Sequence, residues 1–118
     1  MTTRTRALDI TAELVRAYSR RGNYHSDATT AKELGLGGLL VQGVQVAGPA
    51  YGLLLDEWGD DFLTGGEVDL RFLSPVYADA TVEATVTVDG DTAELHVGEP
   101  GAARDAVVGT ARRRAEPV

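Results

Sequence analysis

Two histidines and no cysteine leave this chain few groups able to move protons near neutral pH. One of them, His25, stands in the run Arg21-Gly22-Asn23-Tyr24-His25-Ser26-Asp27, flanked by an amide and a carboxylate. A glycine-rich stretch follows, with Gly35, Gly37 and Gly38, and leads through Gln42, Gly43 and Val44 into a long apolar segment. An imidazole titrates near neutrality and can take up and return a proton. Backbone N–H groups at a helix start can stabilise negative charge as it develops on an oxygen. Together the two suit acid–base chemistry on a carbonyl compound.

Each of these residues also has an ordinary structural use. Asn23 can hold a tight turn, since Asn tolerates left-handed geometry, or it can orient the imidazole or a water. Asp27 suits the N-cap of the helix expected next, or supplies a carboxylate beside His25. Gly43 permits close packing under a sheet, or points its N–H at a substrate oxygen. Arg20 and Arg21 read as solvated charges or as contacts to a substrate carboxylate or phosphate. The run Arg112-Arg113-Arg114 reads as a solvated strand end or a phosphate contact. His96 alternates with Leu95 and Val97 and is expected to be an exposed strand residue.

Composition narrows the classes of function. With 118 residues, 43% hydrophobic and 25% charged, the chain reads as one folded domain over residues 1–118. A net charge of −7 repels phosphate backbones, and no basic run with interleaved aromatics occurs, so nucleic acid is not expected as a partner. The lack of cysteine removes thiol nucleophiles and disulfides, and two distant histidines give no metal-ligand spacing. No apolar run is long enough to span a membrane and the first residues lack a signal-peptide core, so a cytoplasmic location is expected. Two strongly apolar segments in so small a chain point to a homodimer or higher homo-oligomer.

The pattern of elements is helical first and strand-like later, which predicts an α+β domain. Residues 7–10 suit a short edge strand. Thr11 should cap a helix with Leu14, Val15 and Tyr18 on its apolar stripe, ending at Gly22. A second helix is predicted from Asp27 or Ala28 to about Leu34. The apolar segment from Gly43 to Gly59 should be the buried helix, beginning early and kinking at Pro49. From Glu67 the period changes to two: Val68, Leu70 and Phe72, then Val82, Ala84, Val86 and Val88. Asp89-Gly90 marks a hairpin into residues 92–97, and a last strand should run from about Asp105 to Arg113. A curved antiparallel sheet wrapped around one long helix accommodates every segment.

On these motifs the chain resembles, over nearly its whole length, the MaoC-like dehydratases and R-specific enoyl-CoA hydratases. The residues that carry the likeness are Asn23, His25, Ser26, Asp27, Ala31, Gly35, Gly37-Gly38 and Gln42-Gly43, with a second signature from Val68 to Val76 (V-x-x-x-F-x-x-P-V) followed by Asp79. The resemblance implies a hotdog fold and reversible hydration of an enoyl thioester carried on coenzyme A or acyl carrier protein, without a further cofactor or metal. It implies His25, Asn23 and Asp27 as catalytic residues, and Gln42, Gly43 and Val44 as the substrate-binding segment whose N–H groups hold the thioester oxygen. Two positions depart from the family. Its catalytic Asp precedes the His by about five residues, where this chain has Ser19-Arg20-Arg21-Gly22, and Gln42 replaces a His before the glycine. The first departure leaves open a non-catalytic hotdog subunit, for instance half of a heterodimer, or a scaffold redirected to elimination or cyclisation.

Overall fold

The structure is a computed structural model and describes residues 1–18, 28–33 and 38–113. Its elements are β1 (Thr2–Ile10), α1 (Ala12–Tyr18), α2 (Ala28–Glu33), α3 (Gly43–Val46), α4 (Gly48–Trp58), α5 (Asp60–Gly65), β2 (Glu67–Phe72), β3 (Ala80–Asp89), β4 (Thr92–Gly98) and β5 (Val107–Arg112). The five strands form one antiparallel sheet in the order β1-β3-β4-β5-β2.

Alternation decides which face of the sheet is covered. Val82, Ala84, Val86 and Val88 on β3, with Ala93, Leu95 and Val97 on β4, are buried against Ala50, Leu53, Leu54 and Trp58 of α4. The intervening residues face outward. The sheet turns at Asp89-Gly90, where Gly90 takes the positive φ of 62° that glycine tolerates.

The apolar segment is helical from Gly43 but is interrupted at Ala47, where ψ falls to −10°. Pro49 then sits in the first turn of α4, where an intrahelical hydrogen bond would be absent in any case. The early start is therefore realised, and the expected kink is a break into two helices. Gly59 closes α4 with φ 55° and donates its N–H to the Leu55 carbonyl at 2.8 Å.

Other elements differ from the sequence reading. β1 starts at Thr2 rather than Ala7, pairing along its whole length with β3. Its first half carries no apolar alternation; instead Arg4 and Arg6 reach across to Glu57 (2.7 Å) and Asp56 (2.5 Å) at the end of α4. α5 has no counterpart in the sequence reading. β5 begins at Val107, because Asp105 and Ala106 belong to the preceding turn. On α1, Thr11 accepts the capping bond from the Leu14 N–H (3.1 Å), and Val15 is fully buried, but Leu14 is 43% exposed. Within the described turn, Val15 faces the core and Leu14 lies at the margin of the apolar face.

Candidate active site

Two extended segments flank the start of the broken helix and set its position. The Val41 N–H donates to the Val76 carbonyl (2.8 Å) and the Ala78 N–H to the Leu39 carbonyl (2.8 Å), with Leu40 bridged to Tyr77. The chain before α3 is thus locked against the chain after β2. Between them lies a cleft of about 430 Å³, walled by residues 40–44 on one side and 72–76 on the other, with Val46 and Val107 also lining it. Its surface is mostly apolar; Gln42 and Ser74 supply the polar side chains. An apolar cleft with a few polar groups suits a ligand with a hydrocarbon body and one polar end.

Gln42, Gly43 and Val44 all lie on this cleft. Gln42 adopts extended backbone angles (φ −64°, ψ 139°) just before the helix, without using its side chain as a cap. The first hydrogen bonds within the turn are Val46 N–H to Gln42 carbonyl and Ala47 N–H to Gly43 carbonyl, both 3.0 Å. The N–H groups of Gly43, Val44 and Gln45 precede these and have no intrahelical acceptor. Opposite, the Phe72 ring lies over Gly43. Phe72 has the same inward register as Val68 and Leu70, yet it is 55% exposed because it lies on the cleft rather than in the core.

Gln45 ties this turn to α1, its Nε2 donating to the Leu14 carbonyl at 3.0 Å. Its Oε1 is buried without a donor among the described residues. His25, Asn23 and Asp27 lie outside the described residues, as do Arg20, Arg21 and Arg114. Sequence reasoning took Phe72 as a family signature and missed it as part of the cleft. Alternation along β2 could have flagged it, since it continues the inward register of Val68 and Leu70 to the end of the strand.

His96 lies elsewhere, on the outward face of the sheet. Its Nδ1 is 2.8 Å from an Asp105 carboxylate oxygen and its Nε2 is 3.2 Å from Glu94. The bond to Asp105 raises its pKa above 6.5, opposed by partial burial and aided by Glu94. Its side chain is 44% exposed, so the expectation of a surface strand residue holds, but the ring is pinned between two carboxylates. Asp56 and Glu57, the carboxylates late on the long helix, are engaged by Arg6 and Arg4. Among the described residues no group of three metal-ligating side chains occurs, and no helix is long and apolar enough to cross a membrane. A wider groove of about 660 Å³ crosses the ends of β2, β4 and β5, but Glu67, Asp69, Asp89 and Glu94 make it acidic.

Comparison with known proteins bears on the family and the fold. Residues 4–107 match the family described as MaoC like domain. Among solved structures, the (R)-hydratase from A. caviae involved in PHA biosynthesis superposes with a TM-score of 0.76 at 21% identity, covering 97% of this chain and 95% of that one. The ChsH1-ChsH2 complex from Mycobacterium tuberculosis gives 0.74 at 19% identity, covering 96% of each chain. R-hydratase PhaJ1 from Pseudomonas aeruginosa gives 0.72 at 17%, covering 98% of this chain and 81% of that one. At these identities the likeness is one of fold. No curated protein sequence matches the chain.

Proposed function

The chain belongs to the MaoC-like domain family with its hotdog fold, and from that premise we propose that it hydrates an enoyl thioester, or dehydrates the 3-hydroxyacyl form. The observation that carries the reading is the placement of Gln42, Gly43 and Val44 on one wall of an apolar cleft, at the turn where N–H groups lack intrahelical acceptors. In this reading those N–H groups hold the thioester oxygen while negative charge builds on it. The oxygen of a water bonds to the β-carbon, the water's proton passes to His25, and a proton is returned to the α-carbon. The imidazole ends as it began. Asn23 orients the ring or the water. Asp27 is the carboxylate nearest in sequence to His25, and either it takes the part of the acidic residue missing from positions 19–22 or it caps α2. Gln42 can donate a hydrogen bond to the substrate, but its amide does not titrate and so cannot relay a proton.

The substrate is an acyl group on coenzyme A or acyl carrier protein, and no further cofactor enters the reaction. The setting proposed is cytoplasmic. The partner we infer is a second copy of this chain, docked along β2. That strand is an edge of the sheet, so half its backbone groups lack a strand neighbour. Antiparallel pairing about Leu70 would set Asp69 of each copy opposite Arg71 of the other on the outward face, and Val68 opposite Phe72 on the inward face.

The test is direct: purified protein is given crotonyl-CoA, and the product is examined for 3-hydroxybutyryl-CoA of R configuration. A second reading, a non-catalytic subunit, is favoured by the missing carboxylate at positions 19–22; one neighbour of like fold is itself a complex of two named components. A chain that binds acyl-CoA but turns none over would select it.

A further inference from the structure

The turn between β4 and β5 reaches in three directions through three successive residues. Arg104 donates from Nε to the Ser74 hydroxyl at 2.8 Å and from a terminal nitrogen to the Leu73 carbonyl. Asp105 pairs with His96 on the outward face of the sheet. Ala106 donates its N–H to the Val97 carbonyl (2.8 Å), and its own carbonyl accepts the N–H groups of Leu73 (2.7 Å) and Ser74 (3.3 Å). Residues 73 and 74 thus have both N–H groups, one carbonyl and one hydroxyl bound by this turn. They form the cleft wall opposite Gly43, immediately after Phe72.

Apolar packing anchors the far end of that wall at Val76, which is 2% exposed, but does little at its near end, where Phe72 is 55% and Leu73 41% exposed. At Leu73 and Ser74 the fastening is polar. We propose that Arg104 is a positioning residue for the cleft: by clamping Leu73 and Ser74 it presets the wall against which the acyl group lies. The proposal deepens the reading of this cleft as the acyl-thioester site and rests on it. A wall left loose must be ordered when the ligand arrives, and that ordering weakens binding without changing the chemical step.

The experiment compares wild type, Arg104→Ala and Arg104→Lys in three measurements: crotonyl-CoA kinetics, butyryl-CoA affinity and amide hydrogen exchange. Removing the clamp should raise KM and Kd about three- to tenfold, the weight of one or two hydrogen bonds, while kcat stays within about twofold. Arg104→Lys should recover part of the loss, since an ammonium reaches one acceptor but lacks the two-pronged guanidinium. Exchange should speed up at Leu73 and Ser74 and not at Val86 or Leu95. The same rise in KM should appear with crotonyl-pantetheine, which carries no phosphate for Arg104 to touch. Unchanged KM and Kd, a loss confined to kcat, a loss confined to the phosphate-bearing substrate, or faster exchange across the whole sheet would each overturn the proposal. If wild type binds butyryl-CoA in an Arg104-dependent way yet hydrates nothing, the hydratase reading fails and the positioning role stands. If it binds no acyl-CoA, both fall.

Discussion

The Phe72 ring closes over Gly43 so tightly that a Cβ at position 43 would stand 2.6 Å from the ring's Cδ1 and closer still to Cε1. Real side chains do not approach so near, so anything but glycine at 43 must push the ring aside. The displaced ring would move into the cleft or out to solvent. Gly43→Ala should therefore cost about 1–3 kcal/mol in urea unfolding, toward the lower end because the ring is half exposed and can swing. In the pair Gly43→Ala with Phe72→Ala, the two costs should be less than additive, since the second change removes what the first collides with. Strict additivity would show that the ring does not rest on Gly43.

The core prediction concerns Leu54, which is fully buried on α4 against the sheet. Leu54→Ala should destabilise the fold by about 2–5 kcal/mol, by lost transfer energy plus the cavity left behind. The melting temperature should fall by about ten degrees or more. Leu63, 69% exposed on α5, serves as the control: Leu63→Ala should scarcely move the transition.

His96 gives a pH signature. Its folded-state pKa is raised above 6.5, chiefly by the hydrogen bond to Asp105. A raised pKa means the folded form holds the proton more tightly than the unfolded chain does. The stabilisation is then complete below 6.5 and is lost as pH rises through the folded-state value. Other charges line the two grooves that His96 shares: Glu94 on its own strand, Asp69 and Arg71 from β2, Glu83 from β3, and Glu99 and Arg104 from the turn after β4. Subtracting the His96→Gln melting curve from wild type across pH should give a small positive difference at acid pH that fades on the alkaline side. It stays small because the imidazole is 44% exposed and solvent screens the pair. A difference that grows with pH would contradict the assignment.

Pairing along β2 makes a prediction of charge. With Leu70 on the two-fold axis, Arg71→Asp sets the Asp69 of each copy against a second carboxylate, twice in each dimer, and dissociation should rise by about tenfold at low salt. Exchanging both signs, Asp69→Arg with Arg71→Asp, should restore assembly. Sedimentation velocity over a dilution series reads the difference. Equal weakening by the single and double variants would place the interface elsewhere.

What the sequence made legible follows from where neighbours in space are also neighbours in the chain. Val82 to Val88 and Ala93 to Val97 show their alternation locally, and Asp89-Gly90 announces the turn, so β3 and β4 were readable. The first half of β1 was not. Thr2 to Arg6 have no apolar period, and their strand exists because β3 pairs with them and because Glu57 and Asp56 wait on α4. α5 is one and a half turns of mostly exposed residues with Asp60 and Asp61 in its first turn, too short for a period to emerge. In the candidate site, the Gln42-Gly43-Val44 run is marked by the family resemblance together with its place before an apolar segment. Arg104 had no such cue, because its partners Leu73 and Ser74 lie some thirty positions away and only the sheet brings them together.

The proposal depends most on proton transfer by His25 to a thioester held at Gly43. The deciding measurement is the steady-state hydration of crotonyl-CoA by wild type and by His25→Ala at matched folded concentration, with butyryl-CoA affinity measured on both. The account predicts turnover by wild type, a fall of about two to four orders of magnitude in kcat for the variant, and nearly equal affinities. Turnover that survives the loss of His25, or a wild type no faster than the variant, would contradict it.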